Sequence, residues 1–143
     1  MLGGEYSHII DEKKRLTIPP KIRKFLGNKA ILTRGLDRCL FLYPLKEFDV
    51  LAKKLSKLPL SQSDARGFVR VMLTGAIEVS FDKLGRILVP DYLREYASLK
   101  KKVTVAGVYD RVEIWDEANW KEYRQKTEKE VGDIAERLKE LGI

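Results

Sequence analysis

The stretch Gly4-Glu5-Tyr6-Ser7-His8-Ile9-Ile10-Asp11-Glu12-Lys13-Lys14-Arg15-Leu16-Thr17-Ile18-Pro19 returns 71 residues later as Gly75-Ala76-Ile77-Glu78-Val79-Ser80-Phe81-Asp82-Lys83-Leu84-Gly85-Arg86-Ile87-Leu88-Val89-Pro90. Glycine, aspartate, arginine and proline recur at matching places, and the match runs on through Ile22-Arg23-Lys24-Phe25 against Leu93-Arg94-Glu95-Tyr96. It resumes at an offset of 72 with Gly35 against Gly107, Tyr43 against Trp115 and Phe48 against Trp120, which one inserted residue explains. A repeat of this kind decides the architecture, because whatever unit the first copy folds into is built twice.

Each copy reads as a β-hairpin, a short helix, two further strands and a final helix. Asp11 to Lys14 is a polar stretch between two apolar ones, and aspartate suits it because its carboxylate accepts backbone N–H groups across a turn. In the strand leaving the turn, Arg15 and Thr17 share one face and Leu16 and Ile18 the other, so Arg15 sits beside the turn and points away from the core. Pro19 ends the ladder and Pro20 suits a first helical turn, after which Ile22, Phe25 and Leu26 form an apolar stripe that Gly27 stops. Pro90 and Asp91 do the same in the second copy, with Tyr92, Leu93 and Tyr96 packing.

Ala30 to Leu32 and Cys39 to Tyr43 read as strands about a turn at Gly35-Leu36-Asp37-Arg38, matched by Val103 to Val105 and Arg111 to Trp115. Pro44 opens a helix carrying Phe48, Leu51 and Leu55. Leu58-Pro59-Leu60 breaks the chain, and Ser61 is placed to cap a helix whose Ala65, Phe68, Val69 and Met72 share a face. From Glu117 to Leu141 the spacing of Trp120, Thr127, Val131, Ile134, Leu138 and Leu141 predicts a long amphipathic helix, weakened at Gly132, that packs on this chain or on a neighbour. The resulting division is a first repeat over 1–57, a connecting helix over 58–74, a second repeat over 75–122 and a helical tail over 123–143.

With 143 residues and 44% hydrophobic content, the chain is long enough to bury one substantial core or two small ones that share a surface. Its net charge of +7 is unevenly spread: residues 1–72 hold 15 Lys and Arg against 7 Asp and Glu, and residues 73–143 hold 13 against 14. A basic first half favours polyanions, chiefly nucleic acid, although charge also maintains solubility. No apolar run approaches ~18 residues, and the amino terminus lacks the basic and apolar regions of a signal peptide, so a soluble cytoplasmic protein is expected. One cysteine, Cys39, and one histidine, His8, cannot assemble a thiolate or imidazole metal cage. There is no HExxH, no phosphate-cradling Gly-Lys-Ser/Thr loop and no nucleophile-histidine arrangement, so neither an enzyme nor a cofactor is expected.

The doubled Asp-x-x-x-Arg hairpin, the Gly-Glu-Tyr start and the two Gly-turn-strand-aromatic segments resemble the MraZ family over essentially the whole chain except the tail. MraZ proteins are similar to the AbrB class, so the resemblance implies an α+β fold: two tandem hairpin/helix repeats forming a swapped-hairpin β-barrel, with peripheral helices and a long C-terminal helix. It also implies a bacterial transcriptional regulator, usually a repressor of its own division and cell-wall gene cluster. Such a protein is nucleoid-associated and binds short direct repeats in promoter DNA as a ring-shaped homo-oligomer. Carried over, the motif residues are Asp11 and Arg15 in the first copy and Asp82 and Arg86 in the second.

Arginine suits such a position because its planar fork grips guanine O6 and N7, or a phosphate, through two parallel hydrogen bonds. Asp11 would repel DNA directly and is assigned an orienting role. Lys13, Lys14, Lys21 and Arg23 flank the hairpin and are candidates for phosphate contacts, which fix register but carry little sequence information. The second motif is expected to support fold and ring contacts. The same residues have plainer readings: Asp11 and Arg15 as a structural ion pair, Lys100-Lys101-Lys102 as a solvated loop, Trp115 and Trp120 as packing rather than base-stacking groups. A ring-forming scaffold that binds protein instead of DNA is the competing function. Lys14, where the second copy has Gly85, predicts a first turn that is tighter or of another type.

Overall fold

The computed structural model describes residues 1–143 and is α+β. In chain order its first copy holds strands β1 (Glu5–Ile9) and β2 (Arg15–Thr17), helix α1 (Pro20–Leu26), strands β3 (Lys29–Arg34) and β4 (Leu40–Pro44) and helix α2 (Leu45–Ser56). Helix α3 (Ser63–Thr74) connects it to β5 (Ile77–Ser80), β6 (Arg86–Leu88), α4 (Asp91–Tyr96), β7 (Lys102–Val108), β8 (Arg111–Asp116) and the long α5 (Glu117–Arg137).

The strands make one six-stranded sheet in the order β1-β7-β8-β4-β3-β5 and a separate two-stranded ribbon, β2-β6, all antiparallel. The first strand of each copy leaves its own repeat: β1 pairs with β7 and β5 with β3, so the hairpins are exchanged within one chain. The ribbon is centred on Leu16 opposite Ile87 and the sheet on Phe41 opposite Glu113, which places both pairings on one pseudo-two-fold axis. Neither repeat can form its own share of the sheet without the other.

Two apolar layers follow from the alternation of side chains along a strand. Leu40 and Leu42 of β4 face a core with Leu16, Ile18, Ile22, Ile87, Val89 and Leu93, all fully buried, which joins the sheet to the ribbon and to α1 and α4. Phe41 and Tyr43 face the other way, into a smaller cluster with Leu55, Met72 and Trp115 beneath α2, α3 and α5. Thr33, buried in the same sheet, donates to the Met72 carbonyl at 2.6 Å and pins the end of α3.

The structure corrects several expectations from the sequence. Registers put Lys29 opposite Ser80 and Lys102 opposite Ile9, so β3 and β7 are related by an offset of 73, whereas β4 and β8 keep 72. Two residues are therefore inserted between α4 and β7, and one is removed in the β7–β8 turn, which a single inserted residue had imitated. Helix α3 begins at Ser63 with Gln62 at the N-cap and no side-chain cap, so Ser61 does not cap it. Helix α5 ends at Arg137, short of the expected Leu141, with a 3-10 turn at Lys139–Leu141; of its distal stripe Thr127 and Ile134 are partly covered and Val131, Leu138 and Leu141 exposed.

Candidate nucleic-acid interface

The ribbon carries both motifs on its outer face. Leu16 and Ile87 point inward and are fully buried, so their neighbours Arg15, Thr17, Arg86 and Leu88 face outward; Leu88 is 59% exposed. At the first turn one carboxylate oxygen of Asp11 accepts from the backbone N–H groups of Lys13 and Arg15, both at 2.9 Å, and the other accepts from Arg15 Nε at 2.8 Å. Asp82 does the same for Leu84 and Arg86, both at 2.9 Å, and for Arg86 Nε at 2.7 Å. An aspartate four residues ahead of an arginine thus closes the loop and fixes the guanidinium by one edge. The terminal amino groups of Arg15 have no partner within the chain.

The backbone N–H of Arg15 chiefly, and then its guanidinium, hold the Asp11 carboxyl below the ordinary 3.8, against partial desolvation. Asp82 is lowered in the same way by the N–H and guanidinium of Arg86. Both carboxyls are accordingly ionised throughout the neutral range. They also meet: Arg86 Nη1 lies 3.9 Å from Asp11 Oδ2, so the first carboxylate faces two guanidinium groups.

The two turns share one geometry despite the different residue at their fourth position. Lys14 takes a φ of 65° and Gly85 one of 75°, and both N–H groups bond back to the aspartate carbonyl, at 2.9 and 3.0 Å. The expectation of a different first turn is therefore wrong, because the aspartate's hydrogen bonds impose the left-handed conformation on whichever residue stands there. The carbonyls of Lys14 and Gly85 then accept from Val89 and Ile18, both at 3.0 Å, which ties each turn to the opposite strand.

Hairpin exchange redistributes the basic residues. Arg23, on α1 of the first copy, lies across the second turn: a Cβ on Gly85 would overlap its guanidinium, while its Nε donates to the Ile18 carbonyl at 3.0 Å. Arg23 therefore flanks the second hairpin, not the first. Lys21 lines a groove with Met1, Lys24, Phe25, Glu47 and Asp110, away from either turn. Lys13 and Lys14 remain on the first turn, both exposed. What the sequence reading missed is that Arg94, Lys100 and Lys101 of the second copy line a groove with Asp11, Glu12 and Lys14. The charge split between the halves pointed away from them; the exchange of hairpins points towards them.

The remaining chemistry is structural. Cys39 is fully buried, its Sγ 3.1 Å from the Leu36 carbonyl, and burial pushes its thiol far up from the ordinary range. Trp115 and Trp120 pack against Tyr123, and Trp120 Nε1 donates to Glu5 at 3.0 Å. No group of three or more His, Cys, Asp or Glu is placed to hold a metal ion, and no helix is long and apolar enough to cross a membrane.

The family described as "MraZ protein, putative antitoxin-like" matches the chain twice, over residues 1–71 and 72–141. A transcriptional regulator MraZ of Caldicellulosiruptor saccharolyticus is 53% identical over 143 residues, which is 100% of both chains. Proteins of the same name from Clostridium acetobutylicum and a Thermoanaerobacter species are 51% and 50% identical, again over 100% of both chains. Two matched units in tandem, with relatives at half identity over the full length, establish that this chain belongs to the MraZ family.

Proposed function

We propose that this chain regulates transcription by binding double-stranded DNA through the β2-β6 ribbon, with Arg15 reading a base edge and Asp11 holding it in place. The observation that carries the reading is the outward Arg15 guanidinium, fixed through Nε by Asp11 and left with unpartnered terminal amino groups. Such a fork is prepared for a bidentate acceptor, and little side-chain entropy is left to lose when it binds. Lys13 and Lys14 contact phosphates on either side. Arg86, with Asp82, shares the outer face; Arg23 acts by holding the second turn, and Lys21 faces a separate groove beside Phe25 and Asp110.

In this reading residues 1–57 and 75–122 are AbrB-like repeats that build one ribbon, 58–74 is their link and 123–143 a tail. The relatives are named as transcriptional regulators. The MraZ resemblance adds repression, direct repeats in the promoter of a division and cell-wall cluster, and a ring of subunits. A ring would raise the effective concentration of each ribbon after the first has bound. About four phosphates neutralised per subunit would give log affinity against log salt a slope of roughly −3.6.

Gel-shift titration of DNA from upstream of the chain's own gene, against a scrambled sequence at two salt concentrations, tests the proposal. Specific DNA is expected to bind more tightly, and equal binding would favour a protein-binding scaffold instead. Arg15→Ala is expected to lose about 1–3 kcal/mol of discrimination with its melting temperature unchanged. Normal operator binding by that variant would remove Arg15 from the site.

A further inference from the structure

The two Asp-x-x-x-Arg turns match in geometry, yet the grooves beside them differ. At the second turn the groove is lined by Pro20, Arg23, Lys24, Gly27, Asn28 and Asp82, and the Arg23 side chain occupies the space over Gly85. At the first turn a groove of similar size, about 560 Å³ against 610 Å³, runs between Asp11, Glu12 and Lys14 on one side and Arg94, Lys100 and Lys101 on the other. Counted back from the strands, Lys100 and Lys101 stand where the other groove has Gly27 and Asn28.

Lys14 and Arg94 set the first groove apart from the second. A lysine Cβ fills the place of the missing Gly85 side chain, so Arg94 cannot lie across this turn as Arg23 lies across the other. Its guanidinium bonds to the Val89 carbonyl, as Arg23 does to that of Ile18, and is drawn besides to Asp91, where the first copy has Pro20. Asp11 is taken by Arg15. That leaves Lys14, Lys100 and Lys101, none with an ion-pair partner in the chain, against Glu12 alone. The lysine segment is also held in place: the Lys101 carbonyl accepts from Ile10 N at 2.8 Å, and Lys100 N donates to Asp116 Oδ1 at 3.2 Å.

We propose that this groove is a phosphodiester site, in which Lys100 and Lys101 from the second repeat join Lys14 to clamp the DNA backbone beside the base read by Arg15. The inference rests on the DNA-binding reading above and adds residues that neither the motif nor the charge of the first half indicates. The chemistry is that of a backbone clamp: ammonium groups take phosphate oxygens as point charges and fix register without reading sequence. It also assigns the two turns different tasks. The first is flanked by the free ammonium groups of Lys14, Lys100 and Lys101, and the second by Arg23, which lies over its own turn.

The test is a salt series of binding isotherms for the full-length protein with specific and scrambled duplexes. Lys100→Gln/Lys101→Gln is compared with Lys126→Gln/Lys129→Gln, which removes equal charge from exposed positions on α5. Each lost phosphate contact lowers the slope by roughly 0.9, about eight-fold in affinity at 0.1 M salt, so the first variant should lose close to two slope units. It should weaken both duplexes equally, leaving their ratio unchanged, and the α5 variant should keep the wild-type slope. An unchanged slope in the Lys100/Lys101 variant, or an equal loss in the α5 variant, would overturn the clamp. Thermal melting of both variants separates loss of contacts from loss of fold. Wild-type protein that does not prefer the specific duplex would sink the DNA-reading proposal itself, a result distinct from either of these.

Discussion

Lys14 holds a conformation that costs an L-residue roughly 1–2 kcal/mol, because at a φ of 65° its Cβ crowds the backbone. Lys14→Gly is accordingly expected to raise stability by about 1 kcal/mol, read from denaturant midpoints, while weakening DNA binding through the lost charge. A variant that is neither more stable nor weaker in binding would mean that the residue has no electrostatic role to offset its strain. At the matching position, Gly85→Ala is expected to destabilise by about 1–3 kcal/mol, since strain adds to overlap with Arg23. The motif aspartates set the acid limb. Both carboxyls are lowered on folding, so their contribution is complete above the ordinary 3.8 and is lost as pH falls below it towards the folded values. Acid unfolding of Asp11→Asn/Asp82→Asn should therefore show a shallower dependence on pH below that point than the unsubstituted protein. That Asp11 orders the loop is legible in the sequence, because the hydrogen bonds are local. That Lys14 would accept a glycine's conformation is not, because the cost is met by bonds that only the closed turn reveals.

Among the elements, the hairpin, the short helix and the alternation in β4 can all be read from spacing, since each depends on neighbours within a few residues. Exchange of hairpins depends on partners far along the chain, and only the family resemblance anticipates it. The consequence for the site is concrete: the Lys100 run looks like a solvated loop until β1 is placed against β7, when Ile10 and Lys101 share a backbone hydrogen bond. Two insertions ahead of β7 and a deletion after it nearly cancel in the alignment, which hid the segment that gives the first groove its charge. An isolated fragment of residues 1–74 leaves β3 without β5, β1 without β7 and β2 without β6. It is expected either to pair with a second copy of itself or to unfold, and a folded monomer in sedimentation would contradict the interdependence of the repeats.

At the scale of the molecule, stability resides in the two layers on either side of the sheet, and the distal part of α5 adds little to either. The six residues from Val131 to Glu136 include only one, Ile134, that is even partly covered. Removal of residues 129–143 is expected to shift the melting temperature by less than about 2 °C, because exposed positions contribute within about half a kcal/mol. A larger fall would show that the tail docks on a surface of another subunit. The joining of two repeats in one polypeptide has a further effect. A reader made from two identical chains is superimposed on itself by rotation about its dyad and suits palindromic DNA. Here Lys14 stands at one end of the ribbon where Gly85 stands at the other, Asp91 answers Pro20, and the lysines of one groove answer Gly27 and Asn28 of the other. The ribbon therefore has polarity: turned end for end on the duplex, it is a different reader. Reversing one recognition element within the operator, with composition and spacing kept, is expected to abolish its occupancy in footprinting. Under the DNA-reading proposal, an operator that holds several such elements is expected to carry them head to tail.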